Sequence, residues 1–152
     1  MAEYFASPNP QNVAFGQNVL LVDSIPCNRG YVVHRNGSGI LTLRGITSGN
    51  SCFARYEINF NGNIAVPEGG TPAAIAVALA IDGEPLLYSR AIVTPAAVEQ
   101  YFNVTSVAQI TVPKGCCYTV ALENVNAGVG GEIVDEQTIS VADGNLTVAR
   151  IA

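Results

Sequence analysis

The chain has 152 residues, with 12 acidic and 7 basic side chains, one His and no Trp. That length suits a single domain that buries most of its unfolded surface without a metal or disulfide staple. An apolar fraction of 49% with 12% charged residues excludes intrinsic disorder, and a net charge of −5 excludes a nucleic-acid binder working by charge.

Residues 1–18 hold Pro8, Pro10, Gly16 and several Asn and Gln, with no sustained period. They read as a short extended arm ahead of a domain spanning 19–152. The arm has no basic stretch leading into an apolar one, so it does not read as a signal peptide. Its only bulky apolar residues are Tyr4, Phe5, Val13 and Phe15. They are too sparse for a core and are the candidates for anchoring the protein in the grooves of a neighbour.

From Val19 the chain reads as strand after strand. A β-branched run from Val19 to Ile25 stops at Pro26, and Tyr31 to His34 follows a turn. Asn36-Gly37 is a hairpin signal, and Gly39 to Arg44 leaves it. In the run Cys52 to Phe60, residues Cys52, Ala54, Tyr56, Ile58 and Phe60 share one face, and Arg55, Glu57 and Asn59 share the other. This is the pattern of a half-buried antiparallel strand.

The longest apolar run, Pro72 to Ile81, is half the ~20 residues that a membrane-spanning helix needs. Within it Ile75, Val77, Leu79 and Ile81 alternate with Ala74, Ala76, Ala78 and Ala80 before Asp82-Gly83, a second hairpin signal. Ala and Leu also suit a helix, but the short run and its period of two favour a strand. A strand carrying only Ala on one face is expected where another subunit's sheet comes close. Ala74, Ala76, Ala78 and Ala80 are therefore the candidate subunit interface.

Glu84 to Val93 completes the hairpin, and Tyr101 to Val112 is one long bent strand or a pair. Cys116 to Asn124 alternates again. Asn126 to Gly131 is a glycine-rich loop, Glu132 to Val141 a weak strand, and Asn145 to Ile151 the last one. About eight to ten strands at sandwich spacing make an all-β antiparallel jelly roll or a related two-sheet sandwich.

Cys27, Cys52, Cys116 and Cys117 lack zinc-type spacing, and neighbouring cysteines cannot bridge without strain. They read as reduced, buried or half-buried thiols acting as small hydrophobes.

The strand from Cys52 to Phe60, the hairpin from Ala76 to Pro85 with Ser89-Arg90, the Val112 to Cys116 turn entering the Tyr118 to Asn124 strand, and the terminal Asn145 to Ile151 occur in a suggestive order. In that order the chain resembles the bacterial and phage branch of the TNF/C1q-like jelly rolls. The resemblance implies a homotrimer packed about a threefold axis. It also implies service as a receptor ligand, a spore-surface tip or a virion surface protein. A collagen-like Gly-X-Y stalk, usual in spore-surface and C1q types, is not seen ahead of the globular part.

Catalytic chemistry finds little material. His34 is the only histidine, and no Gly-x-Ser-x-Gly elbow accompanies it, so it reads as a structural residue. A cupin-type metal enzyme would need several His ligands. Asp82 and Glu84 flank a turn. Glu132, Asp135 and Glu136 are a possible calcium group but lack the dense spacing of a calcium loop. Arg44, Arg55 and Arg90 fall in or beside strands, where they either point to solvent or sit at subunit contacts beside Glu57 or Glu84.

The expectation is a non-enzymatic homotrimer without cofactor, metal, nucleic-acid or membrane partner. It would decorate or stabilise a phage virion by contacting the major capsid protein. The alternative is a bacterial cell- or spore-surface trimer that binds a receptor or glycan, with Glu99 to Phe102 as a candidate tip loop.

Overall fold

The computed structural model describes residues 2–7, 9–25, 30–128 and 136–151. Cys27, Glu132, Asp135 and residues 129–131 of the glycine-rich loop lie outside them. The described residues form two six-stranded antiparallel sheets and no α-helix.

The first sheet runs β10 (Phe102–Pro113), β6 (Phe53–Ala65), β12 (Ile139–Arg150), β1 (Ala2–Ser7), β3 (Asp23–Ile25), with β2 (Gln11–Val13) also on β12. The second runs β4 (Val32–His34), β5 (Leu41–Arg44), β11 (Cys117–Val125), β7 (Ile75–Ile81), β8 (Glu84–Pro85), with β9 (Ala91–Val93) also on β7. The tract that read as either a pair or one strand is the single strand β10.

Alternation explains the layers. Along β6 the residues Ala54, Tyr56, Ile58 and Phe60 are fully buried, and Phe53 and Arg55 are exposed. The inward faces of both sheets merge into one core containing Phe5, Leu41, Leu43, Leu79, Ile139 and Leu146. Tyr56 reaches across it, and its hydroxyl donates to the Arg44 carbonyl at 2.6 Å. A buried phenol is satisfied in this way without a cost for burying its polar end.

The N-terminal segment is not an arm. β1 pairs with β12 from Ala2↔Ala149 to Ser7↔Gly144 and with β3 on its other side, while β2 continues alongside β12 at Val13↔Ile139. Phe5 and Val13 are only 1% and 3% exposed. Four bulky residues are too few for a separate core, but two of them at the right spacing complete a core that others have started. A segment without a period of its own can still supply edges to a sheet, because backbone pairing does not require apolar residues.

The β7–β8 hairpin matches its sequence signal. Asp82 and Gly83 take φ of 51° and 85°, the left-handed pair that a two-residue turn of this type needs. The Asp82 carboxylate accepts from the Thr119 amide at 2.8 Å and its hydroxyl at 3.1 Å, tying the turn to β11.

Candidate functional site

The strands run between two ends of the sandwich, and a concavity lies at one of them. It is a groove of about 600 Å³ bordered by Asn12, the turn Pro67 to Thr71, Ala73 and the stretch Glu136 to Thr138. Each part is placed by a strand: Asn12 by β2, the turn by the end of β6, and residues 136–138 by the entry to β12. Gly69 has φ of 88° and open space where a Cβ would stand, so it serves the turn's conformation.

The groove is lined by carboxylates, amides and hydroxyls and by no cation among the described residues. Gln137 Nε2 is buried with no acceptor. Tyr101 stands at the same end, 40% exposed, with its hydroxyl 2.7 Å from Ser140 Oγ. Arg90 braces the neighbouring loop by donating through one nitrogen to the Asn126 carbonyl at 2.9 Å and the Gly128 carbonyl at 2.8 Å. Such a surface can bind hydrogen-bonding, uncharged or cationic groups. It holds no nucleophile paired with a base.

The residues singled out in the sequence scatter. Ala76 and Ala78 are fully buried and Ala80 is 2% exposed, all within the single chain. Ala76 and Ala78 form a second small cluster with Val125 and Ala127, against which Ala74 packs. Phe15 lines a crevice with Ala74, Val125 and Ala127. The alanine face thus corrects the interface expectation. Close approach does occur there, but it is the chain's own segments, around Phe15 and from Asn124 to Ala127, that come close. Side chains this short leave room for a loop directly over the sheet.

Phe5 and Val13, read as anchors, are core residues, as described above. Among the calcium candidates, Glu136 is exposed at the groove, and no cluster of metal-ligating residues occurs among the described residues. Arg44 is exposed and donates to the Gly30 carbonyl at 3.1 Å, and Arg55 lies 5.2 Å from the Phe53 ring centroid. Arg90 holds a loop rather than a carboxylate.

His34 is half-buried, with Nε2 2.9 Å from the Ser38 carbonyl and its ring 4.9 Å from Phe5 in an edge contact. It packs β4 against β1, as a structural histidine does. Glu123 on β11 has its carboxyl raised above the ordinary 4.5, first by burial and then by the negative charge of Glu84.

Cysteine placement departs most from the sequence reading. Cys52, Cys116 and Cys117 are free and exposed, not packed as small hydrophobes. The turn signals beside them, Ser48 to Ser51 and Pro113 to Gly115, were the clue, because turns lie at the surface. The groove was likewise signalled only by the Pro-Glu-Gly-Gly turn.

No protein-family model matches the chain, and no curated protein sequence does. The globular domain of zebrafish complement 1qA protein is similar in structure, with a TM-score of 0.58 at 13% identity over 99% of this chain and 97% of that one. The EclA C-terminal domain, a sugar-binding protein, aligns at a TM-score of 0.39 and 15% identity over 92% of this chain and 79% of that one. The fold is therefore a C1q-like jelly-roll sandwich.

Proposed function

We propose that this protein is a non-enzymatic structural module, a homotrimeric jelly roll that decorates the surface of a larger particle, in the first reading a phage capsid. The observation that carries the reading is the outward face of the β10–β6–β12 sheet. Register places Asn61 between Thr105 and Asn145, and Asn59 between Val107 and Thr147. The face is broad and largely uncharged, and its amides bond one another: Asn103 Nδ2 donates to Asn61 Oδ1 at 2.8 Å and to Asn63 Oδ1 at 3.2 Å. Preorganised, weakly charged faces suit burial against further subunits, where unpaired charge is costly. Trimers also match the threefold positions of shells.

With β1 and β2 built into the sandwich, the barrel surface makes any capsid contact. Bridging neighbouring capsomers would stabilise only the assembled shell, by mass action. A second reading, a surface trimer recognising a glycan or receptor, is favoured by the carboxylate- and amide-lined groove beside Tyr101.

Sedimentation equilibrium tests the assembly. A three-chain mass at micromolar concentration is expected, and Asn61→Arg with Thr105→Glu should lower it without unfolding the chain. A monomer would overturn the trimer. Co-sedimentation with purified phage heads then tests decoration, and saturable binding to immobilised glycans, lost in Glu68→Ala, supports the second reading.

A further inference from the structure

The walls of the groove are fixed by hydrogen bonds of the chain itself. Asn124 is buried, and its Nδ2 donates to the Val13 carbonyl at 3.0 Å and to the Gln137 carbonyl at 2.7 Å. One side chain thus holds both the wall that carries Asn12 and the wall that carries Gln137. In the facing turn Gly70 N–H donates to the Pro67 carbonyl at 3.0 Å, and Glu99 N–H donates to the Val66 carbonyl at 2.7 Å just before it. A Cβ on Gly70 would lie 3.7 Å from Gln137 Oε1, so the Gln137 amide reaches from its own wall towards the turn.

This lining sorts ligands by what each would leave unpaired. Gln137 Nε2 is a buried donor with no acceptor. Glu68 and Glu136 only accept hydrogen bonds, while Asn12, Thr71 and Thr138 both donate and accept. No cation lines the groove among the described residues, and Arg90 on the neighbouring loop is engaged with the Asn126 and Gly128 carbonyls. A carboxylate, sulfate or phosphate would enter beside two like charges with nothing to pair it. An ammonium would pair with a glutamate but carries no acceptor for Gln137. Hydroxyls meet both needs, donating to the carboxylates and accepting from the amide. The Tyr101 hydroxyl meets Ser140, which pairs with Asn12, so the half-exposed ring stands beside the Asn12 wall. An aromatic face suits the apolar C–H side of a sugar ring. The volume of about 600 Å³ is that of a small-molecule site.

We propose that the groove binds a neutral pyranose unit of a glycan and excludes sugars bearing a carboxylate, sulfate or phosphate. This rests on the reading of the groove as a glycan site and adds the class of sugar that it takes. Glu68 and Glu136 accept from sugar hydroxyls, and Gln137 Nε2 donates to one. The same two carboxylates set the selectivity, because a concave site with low-dielectric walls concentrates their field.

The test titrates isotope-labelled full-length chain with neutral oligosaccharides of glucose, galactose and mannose, with their uronate and sulfated counterparts, and with a free-amine counterpart. Amide chemical shifts at Asn12, Gly69, Gln137 and Thr138 are the readout. Expected are saturable shifts there with a neutral sugar, and affinity at least ~10-fold lower for its acidic counterparts. Gln137→Ala should weaken the neutral sugar roughly tenfold. Glu68→Gln with Glu136→Gln keeps a hydrogen-bonding group at both positions and removes the charge, so it should admit the acidic sugars. Misfolding cannot imitate that gain of binding. Acidic sugars bound as tightly as neutral ones, a preference for the amine, an unchanged affinity in Gln137→Ala, or acidic sugars still excluded by the double glutamine variant would each overturn the proposal and leave the glycan reading standing. Saturable glycan binding with shifts elsewhere on the chain would do the same. Failure of every sugar to bind would overturn both.

Discussion

At one end of the sandwich the chain turns through Pro67 to Thr71 and Glu136 to Thr138 and lines a groove with carboxylates, amides and hydroxyls. At the other, the loops around Gly45, Cys52 and Cys116 are pinned by backbone hydrogen bonds and present thiols among Ile46, Phe53 and Ile151. The same long strands, β6, β10 and β12, feed both ends. Between the ends, alternation commits every second residue to the core, so the strands have little freedom to vary in chemistry. Past the last ladder rung that obligation lapses, and the turns are free to differ.

The comparison assumes that one barrel supports both ends. Removing residues 2–13 would take away two strands and Phe5. Truncating a buried Phe alone costs about 3–5 kcal/mol, against a total stability of about 5–15 kcal/mol. Loss of the cooperative thermal transition in circular dichroism is expected; a truncated chain that melts like the full one would show that the segment is dispensable.

Glycines at the two ends should respond unequally. Gly45→Ala forces a methyl group into backbone and should cost about 1–3 kcal/mol, read as a fall in Tm of roughly 2–4 °C per kcal/mol. Gly69→Ala meets open space but keeps its positive φ and should cost about 1 kcal/mol. Equal losses would mean that the two ends are equally tight.

Arg90→Gln removes the charged donor that holds the loop beside the groove. Hydrogen exchange should quicken from Asn126 to Gly128 and stay unchanged at Cys116 and Cys117. Quickening at both ends would show coupling across the barrel.

The smallest effect is electrostatic. Glu123 has a raised folded pKa, so its protonated form suits the fold and its ionised form costs stability. That cost is absent below the ordinary 4.5 and grows as pH rises through the folded value. Glu123→Gln should therefore raise Tm slightly at neutral pH, with the gain fading below pH 4.5. A gain that persists in acid would point to packing rather than charge.

Much of the fold was legible in the residues. The alternation in β6, β7 and β11, the Asp82-Gly83 turn and the jelly-roll class are local or additive signals, and the chain follows them. The N-terminal strands were not legible. β1 and β2 owe their place to open edges on β12, and no residue within them announces a partner so distant in sequence. The alanine face was recognised as a site of close approach, but a period of two says nothing about who approaches. Exposed thiols were missed because composition assigns cysteine to the interior and only the turns beside it say otherwise.

Sequence alone determined which residues share a face along β6, β7 and β11, because the side-chain period of a strand is two wherever it pairs. It also determined the β7–β8 turn, because few residue pairs adopt its dihedral angles. Tertiary structure decided that residues 2–13 complete a sheet and that segments of the same chain cover Ala76 and Ala78. It also decided that Glu68 and Glu136 meet across one groove, while Cys52 and Cys116 share the opposite end. Those are contacts between residues far apart along the chain, set by which edges and ends the whole packing leaves open, and no local pattern encodes them.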